Sequence, residues 1–381
     1  MSEVANIPQL RFSEFSGEWE EKKLGELCKF TQGVQIPFSE QLTKYKEGAI
    51  RYLYIRDFFT DDFPYYVKDQ YPNKVIHTDE IMMVNTGNTA GKAFMGATGV
   101  LSNNAFKVSF DKTKVSNIFL FQRITSDTIQ RRIKSFFNAG GQPHLGHKNI
   151  AIIPMGFASL KEQQKIAAFL TAVDNKIEQL SKKQELLGEY KKGLMQKIFS
   201  QAIRFKADDG SEFPDWEEKK LGDVSVRGTS NISANQLEDN NGDYKIYGAA
   251  GHLKNIDFYT EEDCYVAIVK DGAGVGRIML LESKTSVLGT LAIIKAKQGN
   301  DINFLYWLIQ TINFRKYVVG STIPHIYYRD YQAENLRIPS LSEQTKIANF
   351  LSSIDTKIKQ VGKQLNESKQ FKKALLQQMF V

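Results

Sequence analysis

The chain has 381 residues, 42% of them hydrophobic, and its 50 Lys and Arg against 43 Asp and Glu leave a net charge of +7. That length suffices for two or three domains with real cores, and the basic balance favours an anionic partner such as nucleic acid. No run approaches the ~20 apolar residues of a membrane helix, no basic-then-apolar start marks a secretory signal, and only Cys28 and Cys264 are present. Membrane, secreted and disulfide-built classes are therefore set aside, and a cytoplasmic setting is expected.

In chain order, the first signal is Arg11-Phe12 followed by Trp19-Glu20-Glu21-Lys22-Lys23-Leu24-Gly25. Short β-rich runs follow, bounded by Gly, Asn or Asp: Tyr52 to Ile55, Ile81 to Val84 and Ala105 to Phe110. Alternation along Arg51 to Arg56 predicts a strand with Tyr52, Tyr54 and Arg56 on one face. Gly87-Asn88-Thr89-Ala90-Gly91-Lys92 after the second run predicts a glycine-permitted strand–turn–strand. A helical stretch is predicted near Ile118 to Phe137, carrying Arg131, Arg132 and Lys134, and then come Gly140-Gly141 and Gln142-Pro143-His144-Leu145-Gly146-His147-Lys148. From about 159 to 199, Ile166, Val173, Leu180, Leu187 and Leu194 recur every seven residues, with Leu170 and Ile177 beside them. That is a coiled-coil seam, with a start expected after Pro154.

The chain is then written again. Arg204-Phe205 and Trp216-Glu217-Glu218-Lys219-Lys220-Leu221-Gly222 repeat the opening. β-rich runs at Tyr265 to Val269 and Leu291 to Ile294 flank Asp271-Gly272-Ala273-Gly274-Val275-Gly276-Arg277. A helical stretch at Asn303 to Val318 precedes Gly320-Ser321-Thr322-Ile323-Pro324-His325-Ile326-Tyr327-Tyr328-Arg329. After Pro339 a second rod, about 340 to 380, places Ile347, Ile354 and Val361 at heptad spacing, joined by Leu351, Ile358 and Leu365. The expected architecture is α+β: two mixed domains of short strands at 1–153 and 201–338, and two long antiparallel coiled-coil helices at 154–200 and 339–381. Like copies hold the molecule together, and unlike copies do two different jobs.

Neither glycine loop suits nucleotide binding. The first is one residue too short between glycines for a phosphate loop and has Ala93 where Ser or Thr belongs. The second is followed by a strand-like run rather than a helix. His144 and His147 have no cysteine or carboxylate cluster to complete a metal site. Pro214-Asp215 with Glu217 and Lys219 resembles a nuclease signature, but the Glu-x-Lys piece recurs in the first copy without Pro-Asp. No catalytic constellation emerges. The residues suited to DNA are Tyr54, Arg56, Asn85, Asn88, Thr89, Lys92, Arg131, His144, His147 and Lys148, then Lys270, Arg277, Ser321, Thr322, His325, Tyr327 and Arg329. Their cations neutralise phosphates and their polar groups read base edges. A nucleotide-binding enzyme and a protein-binding repeat scaffold remain alternatives.

The two Trp-Glu-x-x-x-Leu-Gly openings, the paired Gly-x-x-x-Gly turns and the Leu-x-Glu-Gln-x-Lys-Ile-Ala-x-Phe-Leu helix starts at Leu160 and Leu341 resemble the specificity subunit of type I restriction–modification systems. Tyr247 to His252, Tyr-Gly-Ala-Ala-Gly-His, resembles one common variety of its target recognition domain. The resemblance implies a non-catalytic reader of a bipartite double-stranded DNA target, with helices that set the spacer. It further implies two modification subunits that bind S-adenosylmethionine and methylate adenine. Restriction subunits using ATP and Mg would join them. None of these cofactors would be bound by this chain.

Overall fold

The structure, a computed structural model, describes residues 6–137 and 141–381. It divides into two compact units, residues 1–181 with 363–381, and residues 182–362. Each unit thus combines one domain with parts of both long helices. Gly140 lies outside the described residues.

In the first unit, β1 (Glu20–Lys23), β2 (Cys28–Gln32), β3 (Ala49–Leu53), β4 (Tyr65–Lys68), β5 (Val75–Ile76), β6 (Ile81–Val84), β7 (Ala93–Phe94), β8 (Gly99–Leu101), β9 (Ala105–Phe110) and β10 (Pro154–Phe157) alternate with short helices α1 (Leu24–Leu27), α2 (Asn117–Thr125), α3 (Asp127–Lys134) and α4 (His147–Ala151). They form an antiparallel sheet ordered β2-β9-β6-β7, a mixed sheet ordered β4-β3-β8-β5 and a ribbon of β1 with β10. Strand β6 is Ile-Met-Met-Val and wholly buried, because one of its faces joins the core around Trp19 and Phe119 and the other the cluster around Leu53 and Leu101. Burial on both faces replaces alternation by a continuous apolar run.

The second unit repeats the plan with β11 (Glu217–Lys220), β12 (Ser225–Thr229), β13 (Tyr244–Gly248), β14 (Gly251–Ile256), β15 (Tyr265–Val269), β16 (Ile278–Leu281), β17 (Ser286–Val287), β18 (Leu291–Ala296) and β19 (Asn335–Ile338). Sheet β12-β18-β15-β16 matches β2-β9-β6-β7, ribbon β11–β19 matches β1–β10, and β14-β13-β17 is a reduced version of the mixed sheet. The long helices, α5 (Leu160–Phe199) and the C-terminal Leu341–Gln378, have 40 and 38 residues. In the first unit Lys372 pairs with Asp174 at 2.6 Å, and in the second Lys191 pairs with Asp355 at 2.6 Å. In the first unit Ile166 and Leu170 also share a core with Leu375, Met379 and Phe380, and in the second a Cβ on Gly362 would meet Gln184 at 2.7 Å, so within each unit the two helix segments run antiparallel.

Four expectations need correcting. The strand predicted through Arg56 ends at Leu53, and Ile55–Phe58 forms a 3-10 turn because Asp57 accepts the backbone N–H of Tyr54 at 2.6 Å. The helix predicted over Ile118 to Phe137 breaks at Ser126, whose hydroxyl and N–H both bond the Arg123 carbonyl. The stretch from Asn303 to Val318 is a helix only over Ile302–Ile309, where the Thr311 hydroxyl takes the Leu308 carbonyl, and a 3-10 turn covers Phe314–Tyr317. Pro154 opens β10, and α5 begins six residues later.

The heptad positions also divide their work. Ile166 and Leu170 join the first domain's core, and Ile347 and Leu351 the second's. Leu180, Ile354, Val361 and Leu365 are buried along the rods. Val173, Ile177, Leu187, Leu194 and Ile358 are half-buried.

Candidate nucleic-acid interface

In each unit the glycine turn joins two antiparallel strands, β6 to β7 and β15 to β16. The backbone ladders coincide. Gly91 N–H bonds Val84 O and Lys92 N–H bonds Thr89 O; Gly276 N–H bonds Val269 O and Arg277 N–H bonds Gly274 O. Gly87 and Gly91 have φ of +93° and +84°, and Gly272 and Gly276 +83° and +84°, the left-handed region that side chains resist. Space is equally restrictive at Gly91, where a Cβ would stand 2.5 Å from the Ile133 Cγ2. A strand, not a helix N-terminus, follows each turn, so neither is built to cradle a phosphate as a nucleotide loop does.

A second segment, more than fifty residues away, is laced onto each turn. In the first unit Gly87 N–H donates to Pro143 O and Leu145 N–H to Asn85 O. In the second, Gly272 N–H donates to Pro324 O and Ile326 N–H to Lys270 O. The lacing sets His144 opposite Thr86, at the start of the turn that carries Asn88, Thr89 and Lys92, and the His144 Nδ1 lies 3.1 Å from Thr86 Oγ1. In the second unit it sets His325 opposite Asp271, at the start of the turn that ends in Arg277, and Ser321, Thr322, Tyr327 and Arg329 belong to the same laced segment. There the Arg329 guanidinium sits 4.7 Å over the Tyr327 ring, and the His325 ring lies 4.9 Å from Tyr327 edge-on. Asn88, Lys92, His144, Lys148, Arg277, Ser321, Thr322, Tyr327 and Arg329 are exposed, while Thr89 and His325 are half-buried. Long cations, hydroxyls, amides and a tyrosine ring flanked by a guanidinium and an imidazole suit phosphate contact and base-edge reading.

Other candidates stand elsewhere. Asn85 is buried, and its backbone holds Asn104 and Leu145. The His147 ring packs 4.8 Å from Phe106 and 6.0 Å from Phe30. Burial, with the His144 charge nearby, holds its pKa below the usual imidazole range. Lys270 is paired with Asp271. Arg131 lies on α3, the helix behind the turn, and bonds the Asp127 carbonyl. Tyr54 and Arg56 stand in a separate aromatic group, with the guanidinium 5.3 Å from the Tyr54 ring and 5.1 Å from that of Tyr65. Sequence reasoning missed Ile323, which is 65% exposed beside the second turn; an apolar residue between Thr and Pro reads as core. Among the described residues no group of three or more His, Cys, Asp or Glu could hold a metal, and no helix is long and apolar enough to cross a membrane.

Comparison with known proteins places this geometry in a family. The type I restriction modification DNA specificity domain matches residues 16–187 and 214–369, one match over most of each repeat. The specificity subunit of the type I restriction enzyme MjaVIII of Methanocaldococcus jannaschii is 26% identical over 404 aligned positions, covering 94% of this chain and 91% of that protein. The EcoDI specificity subunit of Escherichia coli is 28% identical over 174 positions, covering 42% and 37%. Among solved structures, the S subunit of the M. genitalium type I restriction-modification system shares the fold with a TM-score of 0.68 at 15% identity, covering 98% of this chain and 99% of that one. With both repeats matched and both turns built alike, the chain belongs to the type I restriction–modification DNA specificity family and is a specificity subunit.

Proposed function

We propose that each unit reads one half of a bipartite duplex target through its glycine turn and the loop laced to it. The observation that carries this is the identical backbone lacing of Pro143 and Leu145 on the first turn and Pro324 and Ile326 on the second, under side chains that differ. A common scaffold with unlike exposed groups is what two different sequences require of one architecture. The experiment is to exchange residues 10–150 for the matching block of another family member and map methylated adenines. One half-site changes and the other stays; joint change of both overturns the reading.

The same reading assigns catalysis to partners. Two modification subunits carry S-adenosylmethionine and methylate adenine, restriction subunits use ATP and Mg, and the long helices receive them and set the spacer between half-sites. Exposed residues that stay alike in both repeats support two equal docking positions: Tyr190 and Lys192 in one helix and Phe371 and Lys373 in the other, with Tyr190 56% and Phe371 54% exposed. Packing within the chain does not account for a solvent-facing aromatic kept twice, whereas one partner binding twice does. Native mass spectrometry tests it: Tyr190→Ser or Phe371→Ser alone leaves one modification subunit bound, and the pair leaves none. Two bound subunits in the double variant would place docking elsewhere.

A further inference from the structure

The first unit holds a cavity of about 270 Å³ lined by Phe38, Tyr54, Ile55, Arg56, Tyr65, Ser102 and Asn104. Its walls are unusual for a packing defect. Phe38 is 75% exposed at the mouth. The Arg56 guanidinium is stacked over two tyrosine rings, and among the described residues no carboxylate is paired with it, whereas Arg51 nearby is paired with Asp57 and Asp61. Ser102 is 1% exposed, and its hydroxyl has no hydrogen-bond partner. A buried hydroxyl without a partner is costly, and Ser102 stands in the cavity wall, where a ligand can supply that partner. The place is also specific: the Asn104 carbonyl accepts the backbone N–H of Asn85 at 3.0 Å, two residues before the first glycine of the candidate DNA turn.

We propose that this cavity receives a single nucleobase displaced from the stack of the first half-site. The inference rests on the DNA-reading role assigned above. A planar heterocycle matches aromatic walls by stacking and cation–π contact. Its edge carries donors and acceptors that the Ser102 hydroxyl lacks and that the exposed Asn104 amide can meet, and the phosphodiester attached to it is drawn to Arg56. A base still paired and stacked shows only its groove edges and cannot enter a side cavity.

The second unit has no counterpart. Strand pairing aligns Tyr52 and Leu53 beside Val100 and Leu101 in the first unit, and Ile246 and Tyr247 beside Ser286 and Val287 in the second. Carried forward, that register puts Gly248, Ala249 and Ala250 where Tyr54, Ile55 and Arg56 stand, and Leu288 where Ser102 stands. The displaced base therefore belongs to one half-site only.

The test uses the complex of this chain with its modification partner and duplexes carrying a single mismatch at each position of the target in turn. A mismatch relieves the cost of unpairing. At one position of the first half-site, distinct from the methylated adenine, it should tighten binding about tenfold, and at no such position in the second. Phe38→Ala, a surface change that leaves the fold intact, and Ser102→Val should each abolish that gain while keeping preference for the matched target. Mismatches that weaken binding at every position other than the methylated adenine, or a gain that survives both variants, would overturn the proposal while the DNA-reading role stands. A complex with no preference for any duplex sequence would overturn both.

Discussion

The indole Nε1 of Trp216 donates to the Glu343 carboxylate at 3.0 Å, at the first turn of the C-terminal helix. Arg204 reaches the same carboxylate at 3.0 Å. The first repeat is joined identically: Trp19 and Arg11 converge on Glu162 at 3.3 and 2.7 Å. Phe12 packs edge-on against Phe169, and Phe205 against Phe350. The adjacent glutamines complete the joint, with Gln163 accepting the Ser116 N–H and Gln344 the Asp301 N–H. The most alike segments of the two repeats are thus the parts of one helix-to-domain joint, built twice.

Glu343 is wholly buried, and its removal strips Arg204 of its buried charge partner, leaving only the exposed Asp215 at 3.4 Å. Glu343→Ala should cost about 3–5 kcal/mol, and Glu162→Ala a similar amount. Denaturant unfolding with a fluorescent probe in each unit would measure both. A loss below about 1 kcal/mol in either would show that the joint is not a stabilising element.

Lys92 and Arg277 hold equivalent exposed positions after their turns. Lys92→Ala should weaken duplex binding and reduce the salt slope by about one if it meets a phosphate. Arg277 is anchored on the Ala249 carbonyl at 2.7 Å, so its guanidinium is held in one orientation and suits a base contact. Arg277→Ala should relax one base pair of the second half-site at about 1–3 kcal/mol. Binding titrations over a range of salt and a panel of substituted targets decide both. Unchanged affinity, slope and preference in the two variants would remove the turns from the interface.

Gly91 combines a φ of +84° with a Cβ position 2.5 Å from Ile133. Gly91→Ala should destabilise the first unit by about 1–3 kcal/mol and weaken first-half-site recognition, with the second half-site preserved. Methylation mapping and thermal unfolding of the variant provide the check. A silent substitution would mean that turn and α3 separate freely.

Four residues added near Gln184 lengthen α5 by about 6 Å and nearly keep the seam phase, as in a coiled-coil stutter. The expected result is two unchanged half-sites and a spacer longer by about one or two base pairs. Methylation mapping with the modification partner is the measurement. An active variant with an unaltered spacer would show that helix length does not set it.

The duplication, the two rods and the turn-bounded strands were legible in the residues because each is a local regularity. Heptad leucines and isoleucines, paired glycines and repeated Trp-Glu motifs announce themselves without knowledge of what they touch. The ends of elements were less legible. Ser126 and Asp57 terminate structure through single hydrogen bonds to Arg123 and Tyr54, and many serines and aspartates in the chain make no such bond. Chemical type alone therefore placed the breaks wrongly.

Sequence by itself determined the family, the α+β class and the nature of the chain as two readers on repeated supports, since these depend on pattern and order. Tertiary structure decided which polar residues are available to DNA. Asn85 and His147 are as polar as Asn88 and His144, yet the first pair is spent inside, one on backbone lacing and the other against Phe30 and Phe106. The lacing of Pro143 and Pro324 onto distant glycine turns likewise arises from backbone N–H groups that must be satisfied wherever the chain is buried. Every non-proline residue carries such a group. No side-chain pattern records which partner it will find.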